Sequence, residues 1–211
     1  MAGEDQGQRR PNILLLVTDQ QRRDTVGAYG SPICKTPVMD RVARDGMRFD
    51  FAFTPCALCS PARSSLLTGV YPHTHETLTN VTLHPVRHQT LPEQDVLYSG
   101  LKGAGYRLGS VGKWHVNDTL DPTAFGCDRY VPLGAYTEYR RNEGSPVQPE
   151  SSNYLIPLGA TDSIPVEKSR PHFLADRCIE ILEEFARSDE PFFLRLDFHG
   201  PHHPMVVPEP Y

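Results

Sequence analysis

Two short runs that are apolar on both faces, Ile13 to Val17 near one end and Phe192 to Phe198 near the other, constrain the fold most tightly. A strand of that kind has to be covered on both sides, which is the situation of a parallel sheet sandwiched between helices. Both runs end abruptly in polar residues, Thr18-Asp19 in one and His199 in the other. Thr36-Pro37 reads as an N-cap and N1 proline opening a helix, with Val38, Val42 and Ala43 on one face and Gly46 as its stop. Met47, Phe49, Phe51 and Phe53 alternate with Arg48, Asp50 and Ala52 and predict a strand. Ser60-Pro61 repeats the N-cap and N1 pattern, with Leu66, Leu67 and a closing Gly69, so that Cys59 stands just before a helix. Thr90-Leu91-Pro92-Glu93 has capping-box spacing for a helix through Val96, Leu97 and Leu101, and Tyr106 to Val111 predicts a strand ending at Gly112-Lys113. From Thr137 to Pro171 the chain is polar and proline-punctuated and reads as a surface excursion. Leu174, Cys178, Ile181, Leu182 and Phe185 follow helical spacing.

Strands alternating with helices predict an α/β fold with a mostly parallel central sheet and helices on both faces, binding ligands beyond the carboxyl ends of the strands. Asp19, then Lys113 and His115, then His199 and His202 all follow such ends. Three strand ends therefore deliver titratable side chains to one edge.

With 211 residues the chain has the length of one domain or part of one. No apolar run approaches the roughly 18 residues of a membrane helix, so no membrane partner is expected. A net charge of −5 without a Lys/Arg block argues against a nucleic-acid surface. Five scattered cysteines do not form the framework of a small disulfide-rich domain, and most read as buried thiols. The first ten residues are polar and lack a signal peptide's apolar stretch; the expectation is a cytoplasmic protein with a disordered tail over 1–10 and one folded unit over 11–211.

A cysteine at a helix N-terminus sits where free backbone N–H groups and the helix dipole favour an anion, and Arg63 one turn later adds a planar donor fork. A nucleophile in an anion cradle is one reading; a buried thiol beside a solvated arginine is the other. Cys56 and Cys59 also form a C-x-x-C, a spacing used in redox and zinc chemistry, but no second such pair follows.

The stretch Cys59-Ser60-Pro61-Ala62-Arg63-Ser64-Ser65-Leu66-Leu67-Thr68-Gly69 resembles, without a gap, the signature of the formylglycine-dependent sulfatases of the alkaline-phosphatase-like superfamily. Pro11 to Asp19 is similar to that family's first strand, Gly112-Lys113-Trp114-His115 to its glycine-lysine-tryptophan-histidine segment, and Phe198 to Pro204 to its histidine-x-proline segment. The likeness runs from Pro11 to Pro204 and takes in arylsulfatases, choline sulfatases and phosphonate monoester hydrolases. It implies the N-terminal part of a catalytic domain, incomplete at its C-terminal side, because family members continue for a comparable length and supply further metal ligands there.

The resemblance also implies roles. Cys59 would be oxidised to formylglycine by a formylglycine-generating enzyme and act as nucleophile. Asp19, Gln20 and the modified Cys59 would bind a divalent cation, calcium first, with manganese or magnesium as alternatives. Family members often carry a second aspartate where Gln20 stands, a variant similar to the choline-sulfatase and phosphonate-hydrolase branches. Arg63 would stabilise the attacking oxygen, Lys113 and His202 would hold sulfate oxygens, and His115 would take a proton from the modified residue. His73 and His75 read as structural, with Glu76 where the family has glycine; His199 and His203 read as loop supports. The implied activity is hydrolysis of a sulfate monoester, either a small molecule or a sulfated sugar. The alternatives are phosphonate monoester or phosphodiester hydrolysis, and an inactive half that binds a partner chain. An oligomer is compatible with all three.

Overall fold

A computed structural model describes residues 10–82, 88–145 and 159–209. Along the chain lie β1 (Ile13–Val17), α1 (Pro37–Asp45), α2 (Cys59–Thr68), α3 (Pro72–His75), α4 (Leu97–Gly103), β2 (Arg107–Gly112), β3 (Arg129–Pro132), α5 (Ala135–Asn142), β4 (Gly159–Asp162), α6 (Arg170–Phe185), β5 (Phe192–Asp197) and β6 (Met205–Pro208). Four strands form a sheet in the order β1-β5-β2-β3, every neighbouring pair parallel. The short β4 and β6 pair separately, also in parallel.

The all-apolar strands and amphipathic helices explain the layering. Phe192, Leu194 and Leu196 of β5 pack with Leu174, Cys178, Ile181 and Phe185 of α6 on one face. Phe193, on the opposite face, joins Leu67 of α2, Tyr98 of α4, Leu108 and Trp114. Helices thus cover both faces of β5, as its two-sided apolar run requires, whereas β1 is an edge strand of this sheet, not a covered central one, and leaves Ile13, Leu14 and Leu16 exposed. The alternation that sends Phe193 toward α2 sends Arg195 and Asp197 the same way, since side chains two apart share a strand face. Gly112 ends β2 at φ 97°, and a Cβ there would lie 2.1 Å from the Asp197 carbonyl oxygen. Only glycine lets the chain turn so close to β5 and deliver Lys113 to the sheet edge.

Other expectations also need correction. Met47 to Phe53 is not a strand: Tyr29 and Arg48 side chains donate to the Phe49 and Ala28 carbonyls, and Phe49, Phe51 and Phe53 stay exposed with no strand beside them among the described residues. The helix foreseen from Thr90 begins at Leu97. Gln94 folds back onto the Leu91 N–H to make a turn, and Ser99 closes the true helix start on the Val96 N–H. Cys59 is the first residue of α2, with Leu58 as its cap, rather than the residue before it. The excursion from Thr137 overlaps α5, whose Tyr136 and Arg140 are buried, with Arg140 paired to Asp162 of β4. Part of that excursion, 146–158, and the tail over 1–9 lie outside the described residues.

Only Cys127 and Cys178 are buried, so the expectation that most of the cysteines are buried does not hold: Cys34 is exposed, Cys56 and Cys59 are partly buried, and all five are free thiols. No helix among the described residues is long and apolar enough to cross a membrane.

Candidate active site

The carboxyl ends of β1, β5 and β2 and the start of α2 open into one cleft of ≈ 2060 Å³ lined by Asp19, Gln20, Cys59, Arg63, Lys113, His115, His199 and His202, among others. All the residues foreseen as catalytic or metal-binding line it. Backbone bonds fix this convergence: Phe198 N donates to Val17 O, Lys113 N to Asp197 O and Asp19 N to Gly200 O.

The Cys59 sulfur lies 3.8 Å from Asp19 Oδ1 and 3.7 Å from Lys113 Nζ. Asp19 Oδ2 receives Lys113 Nζ at 2.5 Å and Arg63 at 3.1 Å. Burial raises the Asp19 pKa, but the Lys113 hydrogen bond and charge, with help from Arg63, outweigh it and hold the carboxyl below its usual range.

Arg63 is more fully engaged than its place in the motif suggests. It donates to the Lys113 carbonyl at 2.6 Å and to Asp197 Oδ1 at 2.7 Å, besides Asp19. Asp197 in turn receives Arg195 Nε at 2.5 Å and Nη2 at 2.8 Å. Asp197 and Arg195 were missed because they sit inside a run read as apolar. Their signal is an opposite-charge pair two residues apart, hence on one strand face, within that run.

The helix N-terminus is a poorer anion donor than its position implied. Ser60 N donates to Asn80 Oδ1 at 3.0 Å, Pro61 has no N–H, and Ala62 N already bonds Leu58 O. Side-chain cations dominate instead: Arg63, Lys113 and Arg195 face two carboxylates, Asp19 and Asp197, leaving one net positive charge.

His202 is nearly buried, with Nδ1 2.5 Å from the His203 carbonyl oxygen. His115 is held at φ 53°, with Nε2 3.4 Å from Thr82 Oγ1 and Nδ1 buried without a hydrogen-bond partner. Burial, then the Lys113 and Arg63 charges, push its pKa down to about 4, so its imidazole is neutral at pH 7. His75 is buried against Ser65 Oγ at 2.9 Å, and His73 is exposed and stacked on Tyr71.

A divalent cation fits the donors present in part. Asp19 Oδ1 faces the Cys59 sulfur while Oδ2 is taken by Lys113 and Arg63, leaving one carboxylate oxygen for an ion. Gln20 is exposed at φ 60°, on the rim of the cleft rather than among the buried donors. A calcium ion takes six to eight oxygens, so these residues provide only some of its ligands.

Comparison with known proteins agrees with this geometry. The family model described as Sulfatase matches residues 11–211. The chain belongs to the sulfatase family. It is 29% identical to the uncharacterized sulfatase YidJ of Escherichia coli (strain K12), over 96% of this chain and 41% of the relative. Identity is 32% with the multifunctional alkaline phosphatase superfamily protein PehA of Trinickia caryophylli, over 96% of this chain and 44% of the relative. Among solved structures, the phosphonate monoester hydrolase of Agrobacterium radiobacter superposes with a TM-score of 0.71 at 28% identity, over 96% of this chain and 43% of that one. The chain spans about two fifths of the length of these sulfatase-family relatives.

Proposed function

We propose that this chain forms the nucleophile-bearing part of a sulfuric-ester hydrolase in which Cys59 works as formylglycine. The observation that carries the reading is the seat of Cys59, between Asp19 Oδ1 and Lys113 Nζ on the floor of the cleft. Formylglycine at this position, installed by a formylglycine-generating enzyme, would supply a hydrated aldehyde oxygen as nucleophile, and a cation held by Asp19, calcium or else manganese or magnesium, would stabilise charge on it.

The side chains provide the rest. Lys113 has three N–H donors; one meets Asp19, and the ammonium lies close enough to position 59 to hold an oxygen of the bound ester. His202, its Nδ1 tied to the backbone, keeps Nε2 for the substrate. His115, neutral and with a buried free Nδ1, takes the proton whose removal from residue 59 releases the anion. Arg63 acts through Asp19, which it orients.

The substrate read for this site is a sulfate monoester, which carries a single negative charge, in a small molecule or a sulfated sugar. Phosphonate monoesters and phosphodiesters carry the same single charge, and the likeness to a phosphonate monoester hydrolase and the Asp19-Gln20 sequence favour them as a second reading. Mass spectrometry of the Cys59 peptide after co-expression with a formylglycine-generating enzyme tests the nucleophile; relative turnover of aryl sulfate and aryl phosphonate esters decides between substrates. A peptide that stays entirely thiol beside an active modifying enzyme refutes the formylglycine reading.

A further inference from the structure

Before modification, three residues that the hydrolytic reading uses separately stand together as a candidate set of metal ligands. Asp19, Cys59 and His202 each offer one ligand atom, and the three lie within 4.8 Å of one another. Ligands 2.0–2.3 Å from a tetrahedral ion stand roughly 3.3–3.8 Å apart, and the sulfur is already 3.8 Å from Asp19 Oδ1. Small side-chain adjustments therefore complete a coordination triangle.

Groups that are not themselves ligands fix two of the three. His202 Nδ1 faces the His203 carbonyl at 2.5 Å, and only a protonated nitrogen can donate to that oxygen. The lone pair is thereby assigned to Nε2, the outer-shell arrangement that orients metal-binding imidazoles. Lys113 and Arg63 hold Asp19 by Oδ2 and leave Oδ1 turned to the sulfur. Thiolate, imidazole and carboxylate together favour zinc over a hard cation such as calcium, which gains little from sulfur.

We propose that, while Cys59 remains a thiol, the pocket is a zinc site in which Cys59 Sγ, Asp19 Oδ1 and His202 Nε2 hold the ion and the fourth position opens to water in the cleft. On binding, a Zn–S bond forms, the thiol S–H bond breaks and its proton passes to solvent; no electrons are transferred. The thiolate and carboxylate offset the ion's charge, while Lys113 opposes it and keeps the affinity below that of a closed four-ligand site. Oxidation of Cys59 to formylglycine removes the sulfur that selects zinc. The same pocket then changes from a site for a borderline metal to one for a hard cation. This inference stands on the thiol geometry alone, so it survives or fails independently of the hydrolase reading.

The test uses protein produced without a formylglycine-generating enzyme, its Cys59 verified as thiol by mass, stripped of metal and titrated with Co2+ in place of zinc. The expected result is a set of visible tetrahedral bands with a near-ultraviolet sulfur-to-cobalt charge-transfer band, saturating at a single equivalent and abolished by Zn2+. Cys59→Ser removes the charge-transfer band, and His202→Ala and Asp19→Asn each weaken Co2+ binding at least about tenfold. Cys34→Ser and Cys56→Ser change neither. Circular dichroism checks the fold of each variant, and His202→Ala carries the test if Asp19→Asn does not fold. A charge-transfer band that persists in Cys59→Ser, one that is lost in Cys56→Ser, undiminished binding in His202→Ala, or no band in the thiol protein overturns the proposal.

Discussion

Asp197 is where the architecture of the site and the stability of the protein meet, and Asp197→Asn separates charge from shape there. The carboxylate is 2% exposed, between Arg195 at 1% and Arg63 at 6%. It accepts three N–H groups, two from Arg195 and one from Arg63, at 2.5–2.8 Å. Asparagine keeps the volume but turns an NH2 group toward a guanidinium, so one contact becomes donor against donor and Arg195 is left as a buried cation without its counter-charge. Removing one partner of such a pair costs about 3–5 kcal/mol, a large part of the roughly 5–15 kcal/mol that holds a domain folded. Guanidinium denaturation of wild type and variant measures the loss. Arg195→Met should cost less than Asp197→Asn, because Asp197 retains Arg63. The double variant should fall short of additivity by at least about 1 kcal/mol, as residues in one network do. A loss below about 1 kcal/mol for Asp197→Asn, or strict additivity, refutes the claim that this carboxylate neutralises both arginines.

Other expectations are simpler to check. With Cys59 converted, Lys113→Ala should lose at least about a hundredfold in turnover, the scale of one charge-stabilising donor, while exposed His73→Ala stays within a few fold; equal losses would show that the structural and catalytic positions are misassigned. Glu76 ends α3 in the left-handed region at φ 62°, so Glu76→Gly should stabilise the protein by about 1 kcal/mol, and a lower melting temperature contradicts that. Burial lowers the pKa of His75 and, with the Lys113 and Arg63 charges, takes that of His115 to about 4. The unfolded chain therefore binds more protons below the ordinary histidine pKa of about 6.5, and the stability present above that pH is lost as pH falls toward 4. Urea midpoints at pH 7.5 and pH 5 test this; an equal or higher midpoint at pH 5 argues against it.

Much of this was legible in the sequence where local pattern and tertiary environment agree. The apolar run at Phe192 became the fully covered β5, and the spacing of Leu174, Cys178 and Ile181 became one face of α6; the run at Ile13 and the proline-opened helix became β1 and α1, but Leu14, Leu16, Val38 and Val42 stay exposed. The candidate site residues share one cleft because strand ends converge there. What could not be read depends on partners far along the chain. Met47 to Phe53 has strand periodicity, but the Tyr29 hydroxyl donates to the Phe49 carbonyl, Arg48 reaches out to the Ala28 carbonyl, and no strand pairs with this part of the chain among the described residues. Arg195 and Asp197 look like interruptions of an apolar run until Arg63, 134 residues from Asp197, gives them a purpose. Ser60 looked like a cap, yet its hydroxyl accepts the Val81 N–H, a contact that no local pattern announces.

The position of β5 has a consequence in time. It lies between β1 and β2, yet it is made after both, 80 residues beyond the end of β2 by number. During synthesis the first two sheet strands to emerge are therefore ones that never touch each other, and both keep apolar edges open until a later strand slots between them. Pairing across such separations is slow and leaves unsatisfied strand edges exposed in the interval. Cys59 leaves the ribosome well before the strand that brings Asp197 to Arg63. For that interval the future nucleophile belongs to an unfinished sheet, and its surroundings as an enzyme residue come into being in one late step.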